Sequence, residues 1–377
     1  MKTALKINPP WRRDRALVKL YGALNGRALL VGGVVRDALL DKVSKDIDLA
    51  TPDSPETIMN LLKKAKIKAI PTGIEHGTVT AVIEKSPYQI TTLRSDIETF
   101  GRKAKVAFGS DWQEDARRRD FTMNALYADL AGNIFDPLGT GLQDAKAGRV
   151  RFIGDAKARI IEDYLRILRF FRFYAYYGKG KMDEVALSAC HKLRGHLAEL
   201  SGERVQEELF KLLAAPNPVP VLKVMEQKKI LPLILPGKKN FVRVGGDATV
   251  RLAALLPART DVKTLSRKLR LSKETARRLE FLVKEKSNKK LKANFYLYHY
   301  GPEYYNGLAI LKKQKPVKNW RKPKLPISGD DLQKLGLKEG PKLGQVLRKT
   351  ENWWIEKNFK PDKKQSLTKA RKLAGLA

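Results

Sequence analysis

Two aspartates separated by one residue, Asp46 and Asp48, have the clearest chemical potential in this sequence. If they lie on a β-strand, their side chains share one face, while Ile47 and Leu49 point to the opposite face and into a core. Two carboxylates on one face suit Mg²⁺, a hard cation that prefers oxygen ligands and shares them with substrate phosphates. For such a pair taken alone, an ordinary solvated strand end is the alternative.

A diglycine turn precedes this pair, in the run Leu29-Leu30-Val31-Gly32-Gly33-Val34-Val35-Arg36-Asp37. The pattern predicts an apolar strand, a turn and the start of a helix. Glycines let a ligand approach the backbone, a helix N-terminus offers N–H groups to phosphate, and Arg36 could add a charge-assisted contact. The alternative for the glycines alone is a plain connection between strand and helix. Neither a dinucleotide fingerprint nor a P-loop spacing is present. A glycine turn followed by the aspartate pair favours a site for phosphate and metal.

The elements that must position these residues form an α/β segment. From about residue 14 to 150, helical patterns alternate with β-branched runs, and strands are predicted at residues 28–31, 76–83 and 88–93. The last two would pair as a hairpin about a turn at residues 84–87. After Gly154 helical periodicity dominates nearly to the end. A basic linker at residues 312–324 leads to a helix whose cap is predicted at a Ser or Asp.

The charge of the chain indicates a polyanionic partner. Lysine and arginine number 75 against 40 acidic residues, which gives a formal net charge of +35. Residues 1–150 hold 24 basic and 18 acidic residues, whereas the rest of the chain holds 51 and 22. The polyanion should therefore lie mainly against the C-terminal part.

Several classes of protein are excluded by composition. Cys190 is the single cysteine, so neither an intrachain disulfide nor a zinc site of the several-cysteine type can form. The first residues lack the apolar core expected of a signal peptide, and no apolar run approaches the roughly 20 residues that would cross a bilayer. We expect a soluble, cytoplasmic protein that has no contact with a membrane and no obligate protein partner.

Four further motifs follow the glycine turn and the aspartate pair in order. They are Arg118-Arg119-Asp120-Phe121-Thr122-Met123-Asn124-Ala125, Phe135-Asp136-Pro137-Leu138-Gly139-Thr140-Gly141, Glu162-Asp163-Tyr164-Leu165-Arg166-Ile167-Leu168-Arg169-Phe170, and Leu200-Ser201-Gly202-Glu203-Arg204 with the downstream pair Leu212-Leu213. With these motifs, residues 29–213 resemble the class II tRNA nucleotidyltransferases and bacterial poly(A) polymerases, members of the DNA polymerase β nucleotidyltransferase superfamily.

The resemblance implies a fold and a set of site residues. The fold is an α/β nucleotidyltransferase head, a small mixed sheet with helices, followed by an all-helical neck, body and tail. We place these at residues 1–150, 151–215, 216–310 and 311–377, and the basic tail is expected to bind tRNA. The implied roles are metal binding and catalysis by Asp46 and Asp48, triphosphate contacts by Gly32, Gly33 and Arg36, ribose contact near Arg119 and Asp120, and support of the phosphates by Asn124.

Asp163 and Arg166 are predicted to read the incoming base from positions i and i+3 of one helix. Cytosine and adenine both present an amino donor beside a ring-nitrogen acceptor, which a carboxylate and a guanidinium can match. Guanine and uracil reverse that order and would leave buried polar groups unmatched. The resemblance implies this role, and Arg169 is a further candidate for nucleotide contact. An ordinary surface ion pair is the alternative.

The function implied by the resemblance is addition of C, C and A to the 3′ end of tRNA from CTP and ATP, with Mg²⁺ and release of pyrophosphate. A poly(A) polymerase and a partial, A-adding or CC-adding, enzyme are alternatives with the same head. Residues 94–117 have about the length of the flexible loop of full CCA-adding members, which argues against CC addition alone. A non-catalytic basic RNA-binding protein is disfavoured because Asp46 and Asp48 are intact.

One position departs from the family pattern. Relatives usually carry Glu before the V/I-T-T segment, as a third carboxylate near the metals, but Gln89 stands here. Glutamine offers a carbonyl oxygen without negative charge, so we expect weaker metal affinity. Pairing about the predicted turn would set Gln89 opposite Val82, with Glu84 diagonally near.

Overall fold

The computed structural model describes residues 1–44, 46–100, 103–288 and 292–376. The chain divides into two compact units, Met1–Ile234 and Leu235–Ala377. The finer division into head, neck, body and tail stays a prediction.

The first unit is built on a mixed sheet of eight strands, which confirms the predicted fold class. In chain order the strands of the sheet are β1 (Leu5–Lys6), β2 (Leu29–Val31), β3 (Asp48–Thr51), β4 (Lys68–Gly73), β5 (Thr78–Ile83), β6 (Ser86–Thr92), β9 (Tyr127–Ala128) and β10 (Asn133–Phe135). Strands β7 (Arg94–Phe100) and β8 (Lys103–Phe108) lie between β6 and β9 in the chain and form a separate hairpin. The order across the sheet is β1-β10-β9-β2-β3-β6-β5-β4. Strands β3 and β6 are parallel, whereas the other neighbouring pairs are antiparallel.

In the described part of the chain, five α-helices accompany the sheet. They are α1 (Arg15–Ala23), α2 (Gly33–Leu39), α3 (Pro55–Lys64), α4 (Trp112–Arg117) and α5 (Gly141–Ala147). The side chains of Asp14 and Ser54 cap α1 and α3 by accepting backbone N–H groups of the first turn. Helix α2 starts directly after β2, so the predicted strand, glycine turn and helix are confirmed.

The hairpin of β5 and β6 has a shorter turn than the sequence predicted. Glu84 and Lys85 alone form it, both with positive φ of 50° and 66°, and Ile83 pairs with Ser86. Two residues of this conformation match the twist of the flanking strands. Pro87 therefore belongs to β6. Gln89 lies opposite Thr80, so the predicted partner Val82 is wrong by two residues.

The segment 94–117, predicted as a loop, forms the antiparallel pair β7 and β8 and then α4. Neither strand contains glycine or proline, the residues that most often interrupt regular structure. The base of the hairpin is closed by a hydrogen bond from the Gly109 N–H to the Leu93 carbonyl.

Six helices complete the first unit. They are α6 (Ala156–Glu162), α7 (Leu165–Tyr177), α8 (Glu184–Leu193), α9 (Gly202–Ala214), α10 (Val219–Gln227) and α11 (Leu231–Ile234). Helix α7 packs against α9, and α6 packs against α8. Phe170, Phe171 and Phe173 of α7 are buried, so these rings form core and not a stacking surface.

The regular elements described in the second unit are helices. They are α12 (Ala248–Leu255), α13 (Val262–Lys268), α14 (Lys273–Glu285), α15 (Ala293–Tyr300), α16 (Pro302–Leu311), α17 (Gly329–Lys334), α18 (Pro341–Glu356) and α19 (Lys363–Ala374). Ser328 is the N-cap of helix α17 and forms a capping box with Asp331, so the predicted helix start is confirmed. Among the residues of both units that the structure describes, no helix has the length and apolar character needed to cross a membrane.

Candidate nucleotidyltransferase site

The aspartate pair lies at the start of a strand in the middle of the sheet. Asp48 is the first residue of β3, and the three residues after it are buried. Asp46 precedes the strand, so the alternation predicted for a strand does not apply to it; the strand is only four residues long. Both aspartates are exposed.

The electrostatics of Asp48 fit a cation site. Although Asp48 has exposed surface, the protein atoms around its carboxyl partly desolvate it and raise its pKa; Arg119 opposes this shift, and the negative charge of Asp46 adds to it, with a net upward direction. Two neighbouring carboxylates that repel each other are stabilised by a hard cation. In the described part of the chain no group of three or more acidic, histidine or cysteine side chains could hold a metal. The pair therefore fits a metal that completes its coordination with water and substrate oxygens.

Gln89 is the direct neighbour of Asp48 across the sheet. In the parallel pair of β3 and β6, Asp48 lies beside Gln89, so both side chains belong to the same face. Gln89 is exposed. Its amide oxygen is thus a neutral oxygen beside the aspartate pair.

Gly32 forms the predicted turn before α2. Its φ of 71° favours glycine, and a Cβ atom there would lie 3.5 Å from both Arg119 Nη1 and the Asn124 carbonyl oxygen. One guanidinium nitrogen of Arg119 therefore approaches the glycine turn, while the charge of Arg119 also acts on Asp48. The glycine turn, Arg119 and Asp48 therefore lie close together.

Arg119 is held by Asp115, a residue that the sequence interpretation missed. Asp115 has no exposed surface and accepts hydrogen bonds from Arg119 Nη2 at 3.0 Å and Tyr127 Oη at 2.6 Å. Burial alone would raise the pKa of the Asp115 carboxyl, but the guanidinium groups of Arg119 and Arg118 bring it below its usual range. The spacing of Asp115 to the two arginines, i+3 and i+4, was the available signal.

Asp120 and Asn124 bind protein groups. Asp120 Oδ1 accepts from the Asn124 side chain at 2.9 Å, and Oδ2 accepts from Arg169 Nε at 2.8 Å. Burial disfavours the charged form of Asp120, yet Arg169 and the Asn124 amide hold its pKa well below the usual range. The predicted ribose contact of Asp120 and nucleotide contact of Arg169 stay predictions. The geometry shows that Asp120, Asn124 and Arg169 hold one another in place.

Arg36 extends this network to α7. It is buried, and it donates to the Asn124 side chain, to Asp37 and, at 2.7 Å, to Tyr177 Oη. Its guanidinium lies 3.9 Å from the centre of the Tyr177 ring. The predicted phosphate contact of Arg36 stays a prediction.

Glu208 of α9 closes the network and was also missed. It is buried, accepts from Arg172 Nε at 2.6 Å and lies 3.7 Å from Arg169 Nη1. A buried carboxylate between two arginines fixes their orientation. Only its neighbourhood in the last sequence motif pointed to it.

Asp163 and Arg166 do not share a helix, contrary to the prediction. Helix α6 ends at Glu162, and Asp163 is extended, with φ −155° and ψ 105°. Its side chain accepts the Leu165 N–H at 3.1 Å, and its carbonyl accepts the Arg166 N–H at 3.0 Å. Aspartate favours such a capping position over a helix interior.

The two side chains nevertheless lie in one charged cluster. Arg204 Nη2 of α9 donates to Asp163 Oδ2 at 2.8 Å. Arg166 Nη1 is buried and forms an ion pair with Glu162 Oε2 at 3.3 Å, but it makes no hydrogen bond within the described residues. Buried donors normally make hydrogen bonds, so this nitrogen can still donate one to a ligand.

Comparison with known proteins agrees with this geometry. Residues 28–151 match the family described as "Poly A polymerase head domain", and residues 181–241 match "Probable RNA and SrmB- binding site of polymerase A". The mixed sheet, the glycine turn and the aspartate pair thus define a nucleotidyltransferase head of this type.

Relatives with similarity along nearly the whole chain make the class more specific. The mouse protein "CCA tRNA nucleotidyltransferase 1, mitochondrial" is 33% identical over 389 residues, covering 95% of this chain and 89% of its own. The "CCA-adding enzyme" of Lactococcus lactis subsp. cremoris is 34% identical over 388 residues, covering 93% of both chains. The chain belongs to the family of CCA-adding tRNA nucleotidyltransferases.

A solved structure shares the fold. The CCA-adding enzyme of Bacillus stearothermophilus, crystallised in complex with CTP, superposes with a TM-score of 0.79 at 23% identity, over 97% of this chain and 98% of that one.

Proposed function

We propose that this protein adds C, C and A to the 3′ end of tRNA from CTP and ATP, with Mg²⁺ as cofactor. The observation that carries the proposal is the convergence of the glycine turn, Arg119 and the Asp46/Asp48 pair in a chain whose full-length relatives are named as CCA-adding enzymes. The predicted cytoplasmic location stays a prediction, since the relatives include a mitochondrial protein.

In the proposed reaction the tRNA 3′-hydroxyl attacks the α-phosphate in line and pyrophosphate leaves. The turn at Gly32 and the nearby Arg119 nitrogen would bind and orient the triphosphate. Asp46 and Asp48, with the amide oxygen of Gln89 beside them, would hold the metal. When bound, magnesium would lower the pKa of the attacking hydroxyl and stabilise charge on the leaving oxygens.

Base selection would come from the cluster around α7. Arg166 Nη1 is ion-paired with Glu162 but makes no hydrogen bond in the described structure, and it could donate one to the ring nitrogen of C or A. Asp163 would accept from the amino group, and Arg204 would hold its carboxylate in place. Asp163 therefore acts from a fixed extended position between two helices.

Single-nucleotide assays test this function. tRNA transcripts that lack three, two or one of the terminal nucleotides are incubated with each NTP alone and with all four. We expect CTP to extend the two shorter transcripts, ATP to extend only the transcript ending in CC, and no extension after A. Repeated A addition to an unrelated RNA would instead identify a poly(A) polymerase.

Changing Gln89 to glutamate should lower the Mg²⁺ concentration at half-maximal rate. The side chain lies beside Asp48, so the new carboxylate would add negative charge at the cation site. A magnesium titration on one tRNA measures the midpoint. Gln143→Glu, which adds the same charge on the exposed surface of α5, is the matched control and should leave the midpoint unchanged. A midpoint that rises or stays constant in Gln89→Glu would show that position 89 does not tune the metal site.

Shortening the hairpin of β7 and β8 should spare C addition and depress A addition. The resemblance implies that the segment between β6 and α4 helps the pocket switch from C to A. Here β7 packs against α4, and Arg94 donates to the His76 carbonyl at 2.7 Å. The test replaces residues 97–105 by Asn-Gly, a turn that closes two-residue hairpins. Rates of single C and single A addition are compared, and an equal loss of both would limit the hairpin to a structural role.

A further inference from the structure

A groove lies between the end of α18 and the length of α19 in the second unit. Its volume is about 550 Å³, within the range of pockets that hold a small organic ligand. It is lined by Trp353, Lys357, Pro361, Gln365, Thr368, Lys369 and Lys372.

The charge of the groove fits a polyanion. Three of the seven lining residues are lysines and none is acidic. Within the described residues no carboxylate lies within ion-pair distance of these three lysines, whereas Lys363 on the same helix is bound to Asp331 at 2.7 Å. The stretch Lys363–Ala374 contains five basic residues and no acidic one. The groove therefore favours phosphate groups over a neutral ligand.

The aromatic wall adds a second kind of contact. Trp353 is half-buried, and it packs against the cluster of Tyr298, Trp354 and Ile355. Lys369 Nζ lies 5.8 Å from the centre of the Trp353 ring, which shows that the indole borders the basic groove. An indole beside lysines is the combination on which proteins stack bases of single-stranded nucleic acid.

We propose that this groove binds one unpaired nucleotide of the RNA substrate, with the base stacked on Trp353 and the phosphates on either side bound by Lys357, Lys369 and Lys372. This proposal rests on the proposed function, because it takes the RNA substrate to be tRNA. A duplex stem would offer phosphates but no free base face, so the indole distinguishes an unpaired nucleotide from a helical stem.

The first test separates stacking from charge. Trp353→Leu and Trp353→Phe are compared with wild type in binding a tRNA transcript that lacks its last three nucleotides, a 12-nucleotide oligouridine and a 12-base-pair RNA duplex. We expect Trp353→Leu to weaken binding of tRNA and oligouridine about tenfold, Trp353→Phe to restore most of it, and duplex binding to stay unchanged. Equal affinity of all three proteins for oligouridine, or equal losses on oligouridine and duplex, would overturn the stacking role.

The second test compares lysines inside and outside the groove. Lys369→Gln/Lys372→Gln and the matched pair Lys364→Gln/Arg371→Gln remove the same charge from the same helix, but the second pair does not line the groove. Loss of two phosphate contacts should reduce the slope of log affinity against log salt for oligouridine by about 1.4 in the first variant. The control should change the slope less. Equal changes would show that only the overall charge of α19 matters.

Nucleotide addition at saturating tRNA is measured with the same preparations. If wild type adds nucleotides and Trp353→Leu binds RNA as wild type does, the role proposed for the groove is wrong, whereas the proposed function still holds. If wild type adds no nucleotide, the proposed function fails. The oligouridine binding then still shows whether the groove binds an unpaired nucleotide.

Discussion

Asp48→Asn is expected to reduce nucleotide incorporation by about 10³-fold or more while leaving tRNA affinity unchanged. The substitution keeps the shape of the side chain at the start of β3 but removes its charge, which faces Asp46 and Arg119. A metal site that stabilises transition-state charge supplies several kcal/mol, and each step of about 1.4 kcal/mol is a factor of ten in rate. Asp46→Asn should behave in the same way.

The measurement is single-turnover incorporation of CMP at saturating Mg²⁺, with tRNA binding determined in parallel. Asp41→Asn is the matched control because Asp41 is exposed, lies shortly before the pair and has a φ of 53°, which asparagine tolerates. Its activity should equal that of wild type. Appreciable turnover by Asp48→Asn would remove the catalytic role from the pair.

Asp163→Ala is expected to reduce the exclusion of GTP and UTP more than it changes tRNA affinity. The carboxylate is the acceptor proposed for the amino group of C and A, and leaving that donor unmatched costs on the order of 1–3 kcal/mol, or about 5- to 160-fold in selectivity. Arg166→Ala should show the same direction, because it removes the buried donor nitrogen that makes no hydrogen bond in the described structure and is proposed to bind the ring nitrogen of C and A.

Arg204 provides a sharper version of this test. It contacts Asp163 at 2.8 Å, so Arg204→Met should relax selection without removing either base-reading group. Lys157→Ala, at an exposed position of α6, is the control. Selectivity is measured as kcat/KM for each of the four NTPs on a transcript ending in CC. If GTP and UTP stay excluded to the same degree in Asp163→Ala and Arg166→Ala, the proposed base selection is wrong.

The local parts of this structure were predictable from the sequence. The strand, glycine turn and helix at Gly32 follow from an apolar run, two glycines and a helical pattern that are adjacent in the chain. The helix start at Ser328 follows from a cap and its partner three residues later. The change from mixed α/β structure to helices near residue 150 appears as a change in the spacing of apolar residues, which can be read from a single sequence.

The missed features depend on contacts between distant residues or on one backbone angle. Glu208 contacts Arg172 across 36 positions, and Asp120 contacts Arg169 across 49, so no local pattern contains these pairs. The register of the hairpin of β5 and β6 depends on positive φ at Glu84 and Lys85, and residues of these types seldom adopt positive φ. Asp163 was assigned to a helix because its neighbours are helical, whereas its own capping bonds end one helix and start the next.

Sequencing of product 3′ ends tests the central claim most directly. A tRNA transcript that lacks its last three nucleotides is incubated with the protein, Mg²⁺ and all four NTPs, in parallel with an unrelated hairpin RNA of similar length. We predict that the tRNA ends accumulate as C, C and A with no further nucleotide, and that the hairpin stays unextended. Runs of A on either RNA, or a tRNA product that stops before A with ATP present, would contradict it.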